Sequence, residues 1–557
     1  MATWREMTTA MAEALEVPQI LEVRGLRIEA AGDAGNSVVV VDNVSFSLAK
    51  GEVMGLIGEA GAGKSVIGLS TLAYARGGCQ ITGGRILFQG HDLRELGRDA
   101  RQSLRGAKVA YISQSAADAF NPVHTLYDQV CEVALRNGVM TFAQARTDAI
   151  RLFRELDLPN PELFGNRYPH QVSEGQLRRA MAAMAMIAKP DLLVLDEPTG
   201  TLDITAQVEV LASIKKLIRE HGAAALYIGR DPAVVAQIAN RILVLRQGKV
   251  VEHGSAAQIL LQPQSDYTRA LRARRGVANG EAAIAPDEGI APILQVRNVV
   301  AGYRGEPPAV DDVTIDLMRN DMLAVVGESG SGKSALARVI AGLLPYQSGE
   351  LQFDGASLPR RFEDRSRDQR RRIQMIHRRP DLALNPRQTM LDIIGRPVAL
   401  YFSRSRAEIR ARVEELMREV DLPLDYIARR PGALSDAEKQ RVCIARALAA
   451  EPDVIICDEA TATLDPLAAE EILHLLRHAR DHSGIACAFM THDPGIVRRV
   501  TNKVAVMLRG QLVAYGPTQE VFSPPYHQHT ELLLSSVPEI RPDWLDEVLR
   551  RRRKVAR

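Results

Sequence analysis

The chain has 557 residues, with apolar residues near half and charged residues near a quarter, the balance of an ordinary globular protein long enough for several domains. A net charge of +2 excludes the heavy basic excess that marks nucleic acid as a main partner. Five scattered cysteines (Cys79, Cys131, Cys443, Cys457, Cys487), odd in number and without a C-x-x-C pair, argue against a disulfide framework or zinc site and point to a reducing compartment.

In chain order, MATWREMTTAMAEALEV carries acids early and lacks a signal-peptide core, so no targeting segment is expected. LEVRGLRI (21–28) alternates apolar and polar residues as a strand does. GEVMGLIGEAGAGKS (51–65) then runs from a buried strand through a glycine loop into a helix. RRAMAAMAMIAKPDLLVLDE (178–197) is the richest apolar run, yet Lys189 and Asp191 break it and two acids end it. It falls short of the roughly 18 uncharged residues of a membrane span. A role at a membrane therefore requires other subunits to cross it.

The second half repeats the first. LQVRNVVAGY (294–303) answers the early strand, DMLAVVGESGSGKS (321–334) the glycine loop, and DVIICDEATATLD (453–465) the acidic strand DLLVLDEPTGTLD (191–203). Lys64 and Lys333 lie 269 positions apart, Asp196 and Asp458 lie 262 apart, and Arg230 and His492 also lie 262 apart. This is a tandem duplication, with a period too long for a solenoid. Between the copies an Ala-, Gly-, Pro- and charge-rich stretch reads as a linker. The basic end LRRRRKVAR reads as a frayed, solvated tail. Alternating strands and helices predict an α/β fold with a mainly parallel sheet in each copy.

Both loops match G-x-x-x-x-G-K-S, the P-loop pattern. Gly58, Gly61 and Gly63, like Gly327, Gly330 and Gly332, let backbone N–H groups wrap a phosphate at a helix N-terminus. Lys64 and Lys333 reach the terminal phosphates, and Ser65 and Ser334 offer hydroxyls to Mg²⁺. Asp196 and Asp458 can hold the same metal, and Glu197 and Glu459 can orient or deprotonate a water.

YPHQVSEGQLRRA (168–180) resembles the signature of ATP-binding-cassette ATPases, with Ser173, Gly175 and Gln176 kept and Glu174 intruding. The second copy reads LSDAEKQRVCIARAL (434–448), which keeps Ser435 but loses both glycines. AFNPVHTLYDQVCEV, YPHQ, DYTRAL and PPYHQHTELL are similar to the oligopeptide/dipeptide/nickel importer branch, here with two cassettes fused. The resemblance implies a cassette over 17–275, a linker over 276–290, a second cassette over 291–540 and a basic tail over 541–557. Each cassette should have a mainly parallel sheet core, an antiparallel β subdomain and a helical subdomain. Some members of the branch carry an iron–sulfur tail; no cysteine follows Cys487, so no cluster is expected.

In this family the cassettes pair head to tail, so each ATP lies between one copy's loop and the other copy's signature. The resemblance thus implies two unequal sites formed within one chain rather than by a homodimer. Site one uses Lys64, Ser65, Gln114 and Asp196 as nucleotide and Mg²⁺ ligands, with Glu197 beside them. It has Arg230 where the family has a histidine, and no aromatic residue in GLRIEAAG to stack on adenine. Arginine accepts no hydrogen bond and shuttles no proton. The opposing Ser435-Asp436-Ala437-Glu438 sets Asp436 against a γ-phosphate, a repulsion of about 3 kcal/mol at about 6 Å and an effective dielectric of about 20. Site two has Tyr303 for adenine, Lys333, Ser334, Asp458, Glu459 and His492, and faces Ser173, Gly175 and Gln176. Its blemish is Arg378 where the first copy has Gln114.

The expected activity is ATP hydrolysis with Mg²⁺, energising a binding-protein-dependent importer at the cytoplasmic face of the inner membrane. The expected partners are two transmembrane permease subunits, docking near 114–122 and 378–386, and a solute-binding protein; nucleic acid is not expected. A soluble tandem-cassette factor acting on ribosomes would need a long charged helical arm between the copies. A non-hydrolysing ATP-gated switch would not need Glu459 and His492.

Overall fold

The computed structural model describes residues 18–31, 36–200, 202–273 and 291–555, with side chains through Arg553. The expected linker over 276–290 lies outside the described residues. The chain divides into two units. One comprises Met1–Leu202, Ala206–Arg275 and Pro538–Arg557; the other comprises Asp203–Thr205 and Gly276–Val537.

The first unit contains β1 (Gln19–Ala31), β2 (Ser37–Ala49), β3 (Val53–Gly58), β4 (Cys79–Phe88), β5 (His91–Asp92), β6 (Val109–Ile112), β7 (Leu192–Asp196), β8 (Ala224–Ile228), β9 (Arg241–Arg246) and β10 (Lys249–Ser255). β2-β1-β4-β5 form an antiparallel sheet, and β10-β9-β3-β8-β7-β6 form a second sheet that is parallel except at β10. Every residue of β3, β7 and β8 is buried, which explains why these strands read as continuous apolar runs rather than alternations.

The second unit repeats this plan with β11 (Leu294–Ala301), β12 (Val310–Leu317), β13 (Met322–Val326), β14 (Ser348–Phe353), β15 (Ala356–Ser357), β16 (Ile373–Ile376), β17 (Val454–Asp458), β18 (Ala486–Thr491), β19 (Lys503–Leu508) and β20 (Gln511–Pro517). Its sheets run β12-β11-β14-β15 and β16-β17-β18-β13-β19-β20. The α/β plan expected for each copy is what the structure contains.

Strand order determines what meets. β3, β8, β7 and β6 are consecutive neighbours, as are β13, β18, β17 and β16. Their carboxyl ends therefore bring the glycine loop, the residue at 230 or 492, the acidic pair and the residue at 114 or 378 to one edge. Ligands gather at such edges of open α/β sheets.

Each unit also carries helices with closed capping boxes: Leu126–Arg136, Phe142–Glu155 and Glu174–Met186 in the first, and Met390–Tyr401, Arg406–Glu419 and Asp436–Leu448 in the second. A Ser or Thr at the N-cap and an acid or Gln three residues on satisfy two orphan donors at each helix start.

The basic end departs from the frayed tail expected of it. A helix spans Trp544–Val555, with Trp544, Leu545 and Val548 buried in the first unit. The buried Gln237 side chain holds it at two points. Its Nε2 donates to the Arg541 carbonyl (2.7 Å), and its Oε1 accepts from the Leu545 amide (3.1 Å). The apolar stripe ahead of the arginines gives this segment a face to bury, which charge counting alone misses.

Candidate nucleotide site

The residue before each loop lysine has to be glycine. Gly63 has φ 92° and Gly332 φ 108°; a Cβ on Gly332 would sit 2.2 Å from the Ala309 carbonyl oxygen, and one on Gly63 would sit 3.0 Å from that of Val40. No L side chain fits such a contact in the left-handed region. Helices then start at Lys64 and Lys333. Lys64 Nζ donates to the carbonyls of Gly58 and Glu59, both at 2.7 Å. Lys333 Nζ donates to those of Gly327 (2.8 Å) and Glu328 (2.7 Å). Burial pushes the Lys333 ammonium below its ordinary range, opposed by the charge of Glu459.

Ser65 Oγ lies 3.0 Å from Asp196 Oδ1, and Ser334 Oγ lies 2.7 Å from Asp458 Oδ1. Two hard oxygens side by side at the start of a phosphate-binding helix fit Mg²⁺. These residues would hold the ion, which would supply charge neutralisation for the transferring phosphoryl group. Burial raises the Asp458 carboxyl, and the Ser334 hydroxyl opposes the rise.

The two glutamates follow their strands in the same unusual backbone state, φ 48° at Glu197 and 51° at Glu459. Non-glycine residues are held there at a cost of order 1–3 kcal/mol, and such strain gathers at functional sites. What surrounds each carboxylate differs. Around Glu197, Arg230 Nε donates to Oε1 at 2.6 Å and Gln114 Nε2 donates to Oε2 at 3.0 Å. Around Glu459, His492 Nδ1 lies 3.6 Å and Lys333 Nζ 3.9 Å from Oε1, while Arg378 Nη1 lies 3.1 Å from Oε2. Burial alone would raise the Glu459 carboxyl. The neighbouring His492, Arg378 and Lys333 outweigh burial and bring it down to about 2.

The signatures occupy separate helix starts. Ser173 caps Glu174–Met186 and is boxed by the neutral Gln176, at 3.2 and 3.3 Å, and Gly175 follows in the first turn. The intruding Glu174 is drawn back to the buried Arg178, which donates to its Oε1 at 3.1 Å and to the Pro198 carbonyl at 2.8 Å. In the second copy Glu438 closes the box instead. The Ser435 hydroxyl is donated to it at 2.7 Å, with Asp436 in the same turn. Tyr303, 41% exposed, has its hydroxyl 2.6 Å from Arg338 Nη1 on the helix that Lys333 begins.

Two further residues join the first copy's site without a signal in the sequence. Tyr111, in β6, donates to Asp196 Oδ2 at 2.6 Å, and burial followed by the charge of Asp196 raises its phenol. Tyr267 accepts the Glu59 amide of the glycine loop at 3.0 Å. Met375 stands in β16 where Tyr111 stands in β6.

The fold and these sites define a two-cassette nucleotide-binding ATPase. The family model described as "ABC transporter" matches residues 41–200 and 310–462, and that described as "Oligopeptide/dipeptide transporter, C-terminal region" matches 513–556. The chain belongs to the ABC transporter family: it is an ATP-binding subunit that hydrolyses ATP with Mg²⁺ in support of transport. It is 35% identical to the glutathione import ATP-binding protein GsiA of Escherichia coli (strain K12), over 95% of this chain and 91% of that protein. It is 36% identical to the protein of the same name from Pectobacterium atrosepticum, over 94% and 90%. Among the described residues no helix is long and apolar enough to cross a membrane.

Proposed function

We propose that this chain energises an importer of peptides or related small solutes through two unequal ATP sites, and that the site built on the second copy's loop carries turnover. The observation that carries this reading is the Arg230–Glu197 contact at 2.6 Å. With Gln114 on the other oxygen, each Glu197 oxygen holds a hydrogen bond of 3.0 Å or less, whereas the cations around Glu459 stand 3.1–3.9 Å from it. Where Glu197 has Arg230, Glu459 has His492, with its Nδ1 3.6 Å from Oε1.

The signatures support the same assignment. A γ-phosphate facing Ser173 and Gly175 meets amides and a neutral cap. One facing Ser435 meets a hydroxyl already donated to Glu438, and Asp436 beside it. On this reading the first copy's loop retains nucleotide and the second copy's loop turns it over.

The relatives named for glutathione import support a short thiol peptide or a similar solute as cargo. The partners are then two membrane-spanning permease subunits and a solute-binding protein, with this chain peripheral on the cytoplasmic face. The test is purification of the tagged chain from gently solubilised membranes, with mass spectrometry of what accompanies it. Two permeases and phosphate release stimulated by a loaded binding protein are expected. Recovery with ribosomes, or ATP binding without phosphate release in the complete assembly, would overturn the reading.

A further inference from the structure

Gln114 and Arg378 follow equivalent strands, β6 and β16, and Arg230 and His492 follow equivalent strands, β8 and β18. The copies fill this pair of positions in opposite ways. In the first the arginine follows β8 and meets Glu197; in the second it follows β16 and meets Glu459. Each glutamate therefore has one guanidinium, supplied from a different side of the site. Each copy carries its arginine at a different one of the two positions.

The two contacts are not alike. Arg230 is 23% exposed and donates through Nε at 2.6 Å, with a second donor, Gln114, beside it. Arg378 is 36% exposed and approaches through a terminal Nη1 at 3.1 Å. The loop where a γ-phosphate is held starts at the same sheet edge. A phosphate group offers a guanidinium more charge and more acceptor oxygens than a carboxylate does. If Arg378 leaves, the buried Glu459 still has Lys333 and His492 within 3.9 Å, so its charge is not stranded.

We propose that Arg378 is a nucleotide-sensing positioning residue: it holds Glu459 while the loop is free of triphosphate, then moves to the γ-phosphate of ATP and releases the carboxylate to water. The proposal rests on the reading that the second copy's loop binds ATP for turnover. It adds that ATP itself unlocks its base, and that ADP, which has no γ-phosphate, leaves the lock closed.

The experiment measures equilibrium binding of the β,γ-imido analogue of ATP and of ADP, both with Mg²⁺. It uses the full-length chain carrying Lys64→Ala, which silences the first loop. Arg378→Gln and Arg378→Ala are compared with the parent; glutamine is what the first copy carries at this place, so the fold should tolerate it. Loss of a charge-assisted phosphate contact should weaken the triphosphate analogue by about tenfold and ADP by less than about twofold. Equal weakening of both nucleotides, or no change in either, would overturn the proposal. Neither ligand is turned over, so the result stands apart from whether this site is the hydrolytic one, which phosphate release reads separately.

Discussion

Arg230 Nε lies 2.6 Å from Glu197 Oε1, in a chain whose second copy sets His492 Nδ1 3.6 Å from Glu459 Oε1. One carboxylate is held by Arg230 and Gln114, and the other has Arg378, Lys333 and His492 around it. The proposed inequality of the sites begins here.

Arg230→His should leave turnover of the assembled transporter within about twofold, because the second copy's signature still carries Asp436 and Glu438. Arg230→Ala should instead loosen the retained nucleotide. Nucleotide content of the purified complex, with and without Mg²⁺, measures this. A large rise in ATPase from Arg230→His would mean that site one lacked a single group.

Tyr111→Phe removes a donor from Asp196 Oδ2 and leaves that oxygen more available to Mg²⁺. A hydrogen bond of about 1 kcal/mol corresponds to about fivefold in an equilibrium. The Mg²⁺ concentration for half-maximal nucleotide retention at the first loop should fall by about that factor. An unchanged Mg²⁺ titration would show that the tyrosine does not compete with the metal.

Much of this was legible in advance. The duplicated loops and acidic strands identify the fold, and with the 262-residue spacing of Arg230 and His492 they name the candidate site residues, because each chemistry needs a fixed local pattern. Contacts made through tertiary structure were not legible. Tyr111 is one apolar-strand residue among several until β6 pairs with β7. The loss of glutamine at Arg378 was visible, but its engagement with Glu459 depends on the two strand ends meeting. The tail misled because its arginines dominate the composition while Trp544, Leu545 and Val548 decide its packing.

Trp544→Ala should destabilise the first unit by about 3–5 kcal/mol, the usual cost of removing a buried aromatic side chain. Gln237→Ala should release the same helix more gently by removing both of its holds on the segment. Trypsin followed by mass spectrometry reads the effect: the arginines of 550–553 should be cut faster in both variants than in the parent. Equal cutting rates would show that the helix stays docked without Gln237.

Asp458→Asn should weaken Mg²⁺-dependent nucleotide binding at the second loop by at least about tenfold and reduce phosphate release with it. Asp196→Asn should cost less than about threefold in phosphate release while still lowering nucleotide retention. Steady-state ATPase and bound-nucleotide assays on the two variants separate the roles.

The unequal-site account is tested most directly by phosphate release from the assembled transporter carrying Glu459→Gln or Glu197→Gln. Removing a working general base costs on the order of 10²–10⁴ in rate, so Glu459→Gln should abolish most turnover and trap ATP, while Glu197→Gln should lower the rate by less than about threefold. Equal losses from the two substitutions would contradict the account.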